Sequence, residues 1–279
     1  MVHRIAHPED VLREAQLLYP QKFKEVSESG FMDEFYKKAA RMPGVMEAVK
    51  SGGGKAVVFD VASGTGRVGN FIKFLSHMDF DYYCFEINEK QLGKEGWKKA
   101  VIGDISHLRA EDKAADVVLM LNVPIPISEI KNHLLERGRL DYTKKIMLEM
   151  LDLAIEAQYK LNLLEGARVL KDDGILVVGG KYVGQKQERM QGNLADLPLK
   201  IEHFEVVNVD EGAVPAWRRY GIDIEKPTFL LFSLKKTGEV TKEVVSFYEQ
   251  MRYTALEQLI RTEGFDDIME EMRKARKAC

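Results

Sequence analysis

The sequence predicts a doubly wound α/β protein: a seven-stranded, mostly parallel sheet with a C-terminal antiparallel hairpin, and helical additions at both ends. Three observations carry this. Five short apolar runs alternate with helix-sized stretches: AVVFDVA (56–62), YYCFEI (82–87), KAVIGD (99–104), DVVLMLNV (116–123) and GILVVGG (174–180). That alternation is the signature of parallel βαβ units whose sheet is covered on both faces. Two further runs, HFEVVNV (203–209) and TFLLFSL (228–234), follow with no helix-sized apolar pattern between them and read as an antiparallel pair. A glycine-rich turn, VVFDVASGTGRVG (57–69), joins the first run to a helix through Val68, Phe71, Ile72 and Leu75.

Taken along the chain, residues 8–50 read as helices. Pro8-Glu9-Asp10 opens one, Pro20 interrupts it, and Phe31, Phe35, Ala39 and Met42 recur at helical spacing. Ser51-Gly52-Gly53-Gly54 breaks this region. Between the fourth and fifth runs, Ile146, Met150, Leu153, Ala157, Leu161 and Leu164 form one apolar stripe. Lys145, Glu149, Asp152, Glu156 and Lys160 form a charged face expected in solvent. A last helical region follows Thr241, with Val244, Phe247, Met251, Leu256 and Leu259 on its apolar side. The expected division is an N-terminal helical extension (1–54), a central domain (55–236) and a C-terminal helical extension (237–279).

Composition narrows the function. The chain has 279 residues, 45% hydrophobic and 30% charged, with net charge −3 and mean hydropathy −0.25. These values describe a globular chain and give no global positive field for nucleic acid. Its apolar runs fall far short of the roughly 20 residues that a membrane helix needs, and no secretion-signal pattern opens it, so a cytoplasmic location is expected. Cys84 and Cys279 have no metal-ligand spacing, the six histidines form no paired motif, and no metal is expected. Cys84 reads as a small core residue.

The chemistry concentrates at the strand ends, the crevice where open α/β sheets bind ligands. Glycines in the first turn let a ligand approach the backbone, and the helix start offers unpaired N–H groups. Gly64, Gly66 and Gly69 satisfy GxGxxG, with Glu86 20 residues beyond Gly66. That pattern alone does not separate a nicotinamide site from other nucleoside sites. Acids nevertheless fall at three consecutive run ends: Asp60, Glu86 and Asp104.

With Asp60 preceding the glycines, D-x-A-x-G-T-G resembles the first motif of the class I, Rossmann-like S-adenosylmethionine-dependent methyltransferases, in the variant with Ala62 for the first glycine. The resemblance spans residues 55–236. It implies S-adenosyl-L-methionine as cofactor. The loop of Asp60, Ala62, Ser63, Gly64, Thr65 and Gly66 would pass under its methionine part. Glu86 would accept the ribose hydroxyls, with Ile87 beside it. Asp104 would hold the adenine amino group, with Ile105 beside it. Asn122, in Asn122-Val123-Pro124-Ile125-Pro126, would touch both cofactor and acceptor and is the expected catalytic residue. This segment is only distantly similar to the Asn-Pro-Pro-aromatic motif of amino-group methyltransferases: Val123 replaces the first proline and no aromatic follows.

The expected acceptor is a small molecule or a flexible peptide. RNA is the rival, because Arg137, Arg139, Lys144 and Lys145 cluster. Phe31, Phe35 and Tyr36 are candidates for an acceptor wall, though core packing is the plainer reading. The stretch from Glu211 to Pro227, with Trp217-Arg218-Arg219-Tyr220, suits a planar or anionic acceptor or an interface. His107 and His133 are candidate bases, but a lone histidine near a site is more often structural, and neither is assigned the role. Other readings are a nicotinamide-dependent oxidoreductase, an aminopropyl transferase (which lacks its acid-glycine cluster) and a catalytically silent binder of the same fold. The sequence leaves the oligomeric state open.

Overall fold

The computed structural model describes residues 7–18, 32–86, 98–102, 105–123, 125–136, 142–180, 191–192, 194–208 and 228–278. The strands are β1 (Val57–Val61), β2 (Asp81–Glu86), β3 (Lys98–Ile102), β4 (Ala115–Leu121), β5 (Leu170–Gly180), β6 (Leu199–Asn208) and β7 (Thr228–Lys236). The helices are α1 (Pro8–Leu18), α2 (Asp33–Ala40), α3 (Val45–Ser51), α4 (Arg67–Ser76), α5 (Ile127–Glu136), α6 (Tyr142–Val169), α7 (Lys242–Arg261) and α8 (Phe265–Ala278). All seven expected strands are present, each within a few residues of its apolar run.

The chain divides into two compact units. The larger comprises residues 21–123 and 163–240 and contains the whole sheet, in the order β3-β2-β1-β4-β5-β7-β6. The pairings from β3 to β5 are parallel, and β7 runs antiparallel to both β5 and β6. The expected hairpin is thus an inserted one: β7 slots between β5 and β6, so one strand alone opposes the other six. Helices α2 and α3 belong to this unit.

Side chains alternate across the sheet with period two, and both faces of its central strands are buried, while the edge strands β3 and β6 are largely uncovered. On one, Phe35, Val45, Val49, Val68 and Ile72 of α2 to α4 join Val58, Tyr82, Val117, Leu119, Val177 and Leu231. On the other lie Phe59, Val118, Met120, Leu176 and Val178, all at most 4% exposed. There the last turns of α6 come close enough that a Cβ on Gly166 would stand 3.0 Å from Met120. The glycine lets the helix backbone rest on the sheet.

The smaller unit comprises residues 1–20, 124–162 and 241–279. Val11, Ala15, Ile130, Leu134, Met147, Leu151, Leu256, Leu259, Phe265 and Met269 form its core. The Thr241 hydroxyl caps α7 by accepting the Val244 N–H at 3.4 Å, as N-cap threonines do. Arg273 reaches Glu14 at 3.1 Å and links α8 to α1.

The expected stripe on α6 is displaced. Leu153 is 40% exposed, whereas Met147, Leu151 and Ala154 are fully covered. Lys160, expected in solvent, is 6% exposed and donates to the Tyr248 hydroxyl at 3.0 Å. From Ala157 onward almost every residue of α6 is buried. Sequence periodicity assumes one covered face, and this helix has more than one.

Candidate functional site

The site is built on the α4-facing side of β1, β2 and β3. Register places Asp60 opposite Cys84, Tyr82 opposite Lys98, and Glu86 opposite Ile102. With period-two alternation, Asp60, Tyr82, Cys84, Glu86 and Lys98 therefore share one face, beneath the glycine turn.

The turn leaves β1 in left-handed backbone conformations: Ala62 has φ +58°, Gly64 +53° and Gly66 +64°. Glycine adopts this region freely, whereas alanine is strained there by about 1–2 kcal/mol. The strain at Ala62 is held by hydrogen bonds: its N–H donates to the Phe85 carbonyl at 2.8 Å, and the Ser63 N–H to the same oxygen at 3.3 Å. The Gly66 N–H closes the turn on the Ser63 carbonyl at 2.8 Å, and Gly66 caps α4. A Cβ on Gly64 would meet nothing within 4 Å, so space is open against this part of the turn. A Cβ on Gly66 would stand 2.9 Å from the Cys84 sulfur.

Asp60 is 2% exposed. Burial pushes its carboxyl up to about 7, against the Tyr82 hydrogen bond and the Lys98 charge, which pull it down. The Tyr82 hydroxyl donates to Asp60 and accepts the Gly69 N–H at 3.2 Å, satisfying an otherwise orphaned donor in the first turn of α4. Burial and the Asp60 charge hold the Tyr82 phenol well above its ordinary range. The Cys84 thiol is pushed up to about 12, chiefly by burial, which fits a core residue and not a nucleophile.

Glu86 ends β2, is 4% exposed, and accepts the Gly64 N–H at 3.0 Å. The Ser63 hydroxyl oxygen is buried, with no oxygen or nitrogen partner among the described residues. Lys98 donates to the Thr65 carbonyl at 3.2 Å. Asn122 follows directly on β4 with φ +54° and donates its N–H to the Gly179 carbonyl at 2.7 Å. Asparagine tolerates this conformation better than most residues, which turns the chain sharply at the strand end. Ile105 is 7% exposed.

The structure therefore brings Asp60, the turn from Ala62 to Gly66, and Glu86 together, with Asn122 at the adjoining end of β4. Ile87, Asp104, Pro124, Arg137, Arg139 and Trp217 to Tyr220 lie outside the described residues, as does Phe31. Phe35 is fully buried and Tyr36 is partly buried against the same core. His107 is exposed, and His133 stands 3.9 Å from Glu271 in the smaller unit. Among the described residues no cluster of three His, Cys, Asp or Glu side chains could hold a metal, and no helix is long and apolar enough to cross a membrane.

Sequence reasoning missed Tyr82 and Lys98, which hold the turn from below, and the two-point ion pair from Arg67 to Asp33 (2.6 and 2.9 Å) that ties α2 to the start of α4. One signal for Tyr82 was present. Gly69 sits inside a helix, where glycine is unfavourable, and a Cβ there would lie 2.6–2.8 Å from the Tyr82 ring.

No protein-family model matches the chain, and no curated protein matches it in sequence. Solved structures do match. One is a chain of the complex between the Haloferax volcanii Trm112 methyltransferase activator and a protein assigned as a methyltransferase. It is 13% identical, covering 80% of this chain and 97% of that one, with TM-score 0.50. A protein of Pyrococcus horikoshii assigned as an RNA methyltransferase is 16% identical, over 73% and 84% of the two chains, with TM-score 0.43. The Burkholderia thailandensis 1,6-didemethyltoxoflavin-N1-methyltransferase, solved with S-adenosylhomocysteine, is 13% identical over 85% and 94%, with TM-score 0.43. The first of these, at TM-score 0.50, shows a shared fold.

Proposed function

We propose that this chain, which has the class I methyltransferase fold, binds S-adenosylmethionine at the C-terminal ends of its parallel strands and methylates a small molecule or a flexible peptide. The observation that carries the reading is Glu86: a buried carboxylate at the end of β2, beside a glycine turn with open space against Gly64. The buried Ser63 hydroxyl adds a polar group to the same turn. These residues fit an adenosyl ligand. Gly64 permits close backbone approach, Gly66 turns the loop into α4 while packing on Cys84, Glu86 accepts from ribose hydroxyls, and Asp104 is assigned the adenine amino group. Asn122, with Ile87 and Ile105, completes the proposed contacts.

The cofactor supplies a methyl group already activated on a sulfonium. What remains for the protein is alignment of donor and acceptor, worth up to about 7–11 kcal/mol of barrier. Asn122, turned out of β4 by its left-handed backbone, is the residue proposed to orient the acceptor.

Calorimetry with S-adenosylmethionine, S-adenosylhomocysteine, NAD and NADP tests the cofactor. Preferential binding of a dinucleotide would replace this reading with the oxidoreductase one. Glu86→Ala should weaken S-adenosylhomocysteine by roughly 1.5–3 kcal/mol, or about 10- to 150-fold, through lost charge-assisted hydrogen bonds. Glu86→Gln keeps an acceptor for the Gly64 N–H and separates loss of charge from loss of the turn. Unchanged affinity in a folded Glu86→Ala protein removes the ribose assignment.

The acceptor is tested by a methyl-transfer screen of metabolites and peptides, alongside RNA binding across a salt series. Phosphate contacts lower log affinity by roughly 0.7–0.9 per contact for each unit of log salt. Steeply salt-dependent RNA binding with methyl incorporation would overturn the small-acceptor proposal and leave the cofactor assignment standing.

A further inference from the structure

Beneath the glycine turn, one hydroxyl joins the two elements that the turn connects. The Tyr82 oxygen donates to Asp60 at the end of β1 and accepts the Gly69 N–H at 3.2 Å from the first turn of α4. Tyr82 is fully buried, so water cannot substitute in either bond. Its cross-strand partner Lys98 holds the middle of the turn through the Thr65 carbonyl at 3.2 Å. The third glycine of the motif has a role here that is not ligand approach: Gly69 makes room for the tyrosine ring, which a Cβ would meet at 2.6 Å.

We propose that Tyr82 is a positioning residue for the cofactor site, holding the Asp60 carboxyl and the α4 N-terminus in register across the glycine turn. This rests on the cofactor reading above. The groups that face Asp60 are Tyr82, Cys84 and Glu86 from β2 and Lys98 from β3. Burial favours the neutral carboxyl, while the phenol donor favours the ionised one. On the cofactor reading, the glycine turn that Asp60 opens runs under the methionine part of the ligand, whose ammonium group then favours the ionised carboxyl. Binding is therefore coupled to ionisation of Asp60, and Tyr82 sets where on the pH axis that happens.

The test is calorimetry with S-adenosylhomocysteine from pH 5.5 to 8.5, on wild type, Tyr82→Phe and Asp60→Asn, with thermal melting of each. Wild-type affinity should rise with pH through the Asp60 ionisation. Tyr82→Phe keeps the ring against Gly69 and loses the donor. It should bind about tenfold more weakly near pH 7, the loss of one hydrogen bond to a charged group, with its rise displaced to higher pH. Asp60→Asn should lack this rise. The ligand's own amino group titrates equally in all three and cancels in the comparison.

A purely structural tyrosine would lower the melting temperature and leave the pH midpoint in place, and that result overturns the proposal. If Tyr82→Phe does not fold, 3-fluorotyrosine at position 82 serves instead: a more acidic phenol is a stronger donor and should move the midpoint down, and an unmoved midpoint overturns the proposal. Absence of wild-type binding to S-adenosylhomocysteine and S-adenosylmethionine would sink the cofactor reading and this inference with it. Normal wild-type binding with an indistinguishable Tyr82→Phe profile sinks the role of Tyr82 alone.

Discussion

Asp60→Asn is expected to flatten the pH dependence of stability between about pH 4 and pH 7. In the unfolded chain the carboxyl ionises near its ordinary value of 3.8, whereas burial holds the folded one protonated to about 7. Between those values the folded state binds more protons than the unfolded state, so stability falls as pH rises. Below the window the two states are equally protonated, and above it the whole cost of a buried carboxylate is present. Three units correspond to about 4 kcal/mol across the window. The amide of the variant cannot ionise and still accepts from Tyr82, so this slope should vanish. Exposed carboxylates held down by Lys113, at Asp172 and Glu239, act in the opposite direction as pH falls, and they do so in both proteins. Urea unfolding midpoints from pH 4.5 to 8 measure the difference. Equal slopes in the two proteins would mean that Asp60 is already ionised when folded.

Phe35→Ala should cost about 3–5 kcal/mol, the range for deleting a buried aromatic from a packed core. Phe35 is fully buried, with its ring 5.1 Å from Phe229 of β7 and 5.8 Å from Tyr36. It also approaches Gly179 so closely that a Cβ there would stand 2.9 Å from its ring. The surrounding strands cannot collapse into the vacated volume without breaking the β5–β7 pairing. As an acceptor wall, Phe35 would affect methyl transfer while leaving stability nearly intact. As core it does the reverse. Chemical denaturation with cofactor calorimetry on the folded fraction separates them, and the expected result is a large loss of stability with unchanged cofactor affinity.

The strands were legible because each is an apolar run bounded by polar or glycine-rich sequence, and the parallel portion follows from helix-sized spacers between runs. The candidate site was legible in its strand-end acids and glycines, since Asp60, Gly64 and Gly66 lie within seven consecutive residues and Glu86 ends the next run. The burial of Lys160 was not legible, nor was the exposure of Leu153. A single-stripe pattern says nothing about a helix covered on several sides, and Lys160 finds its partner Tyr248 88 residues away.

By itself, then, the amino-acid sequence determined the strand identities, the turn geometry that glycine permits, and which end of the sheet collects the acids. These depend on neighbours in the chain and on the period-two and 3.6-residue repeats. Only the tertiary structure decided that β7 inserts between β5 and β6, that Gly69 serves Tyr82, and that Asp60 is buried deeply enough to raise its ionisation to about 7. The physical reason is that each depends on what is brought across from another strand. Register pairs Tyr82 with Val58 and so sets it on the same face as Asp60, with its hydroxyl within reach of the carboxyl, and packing removes the water that would otherwise favour the ionised carboxyl.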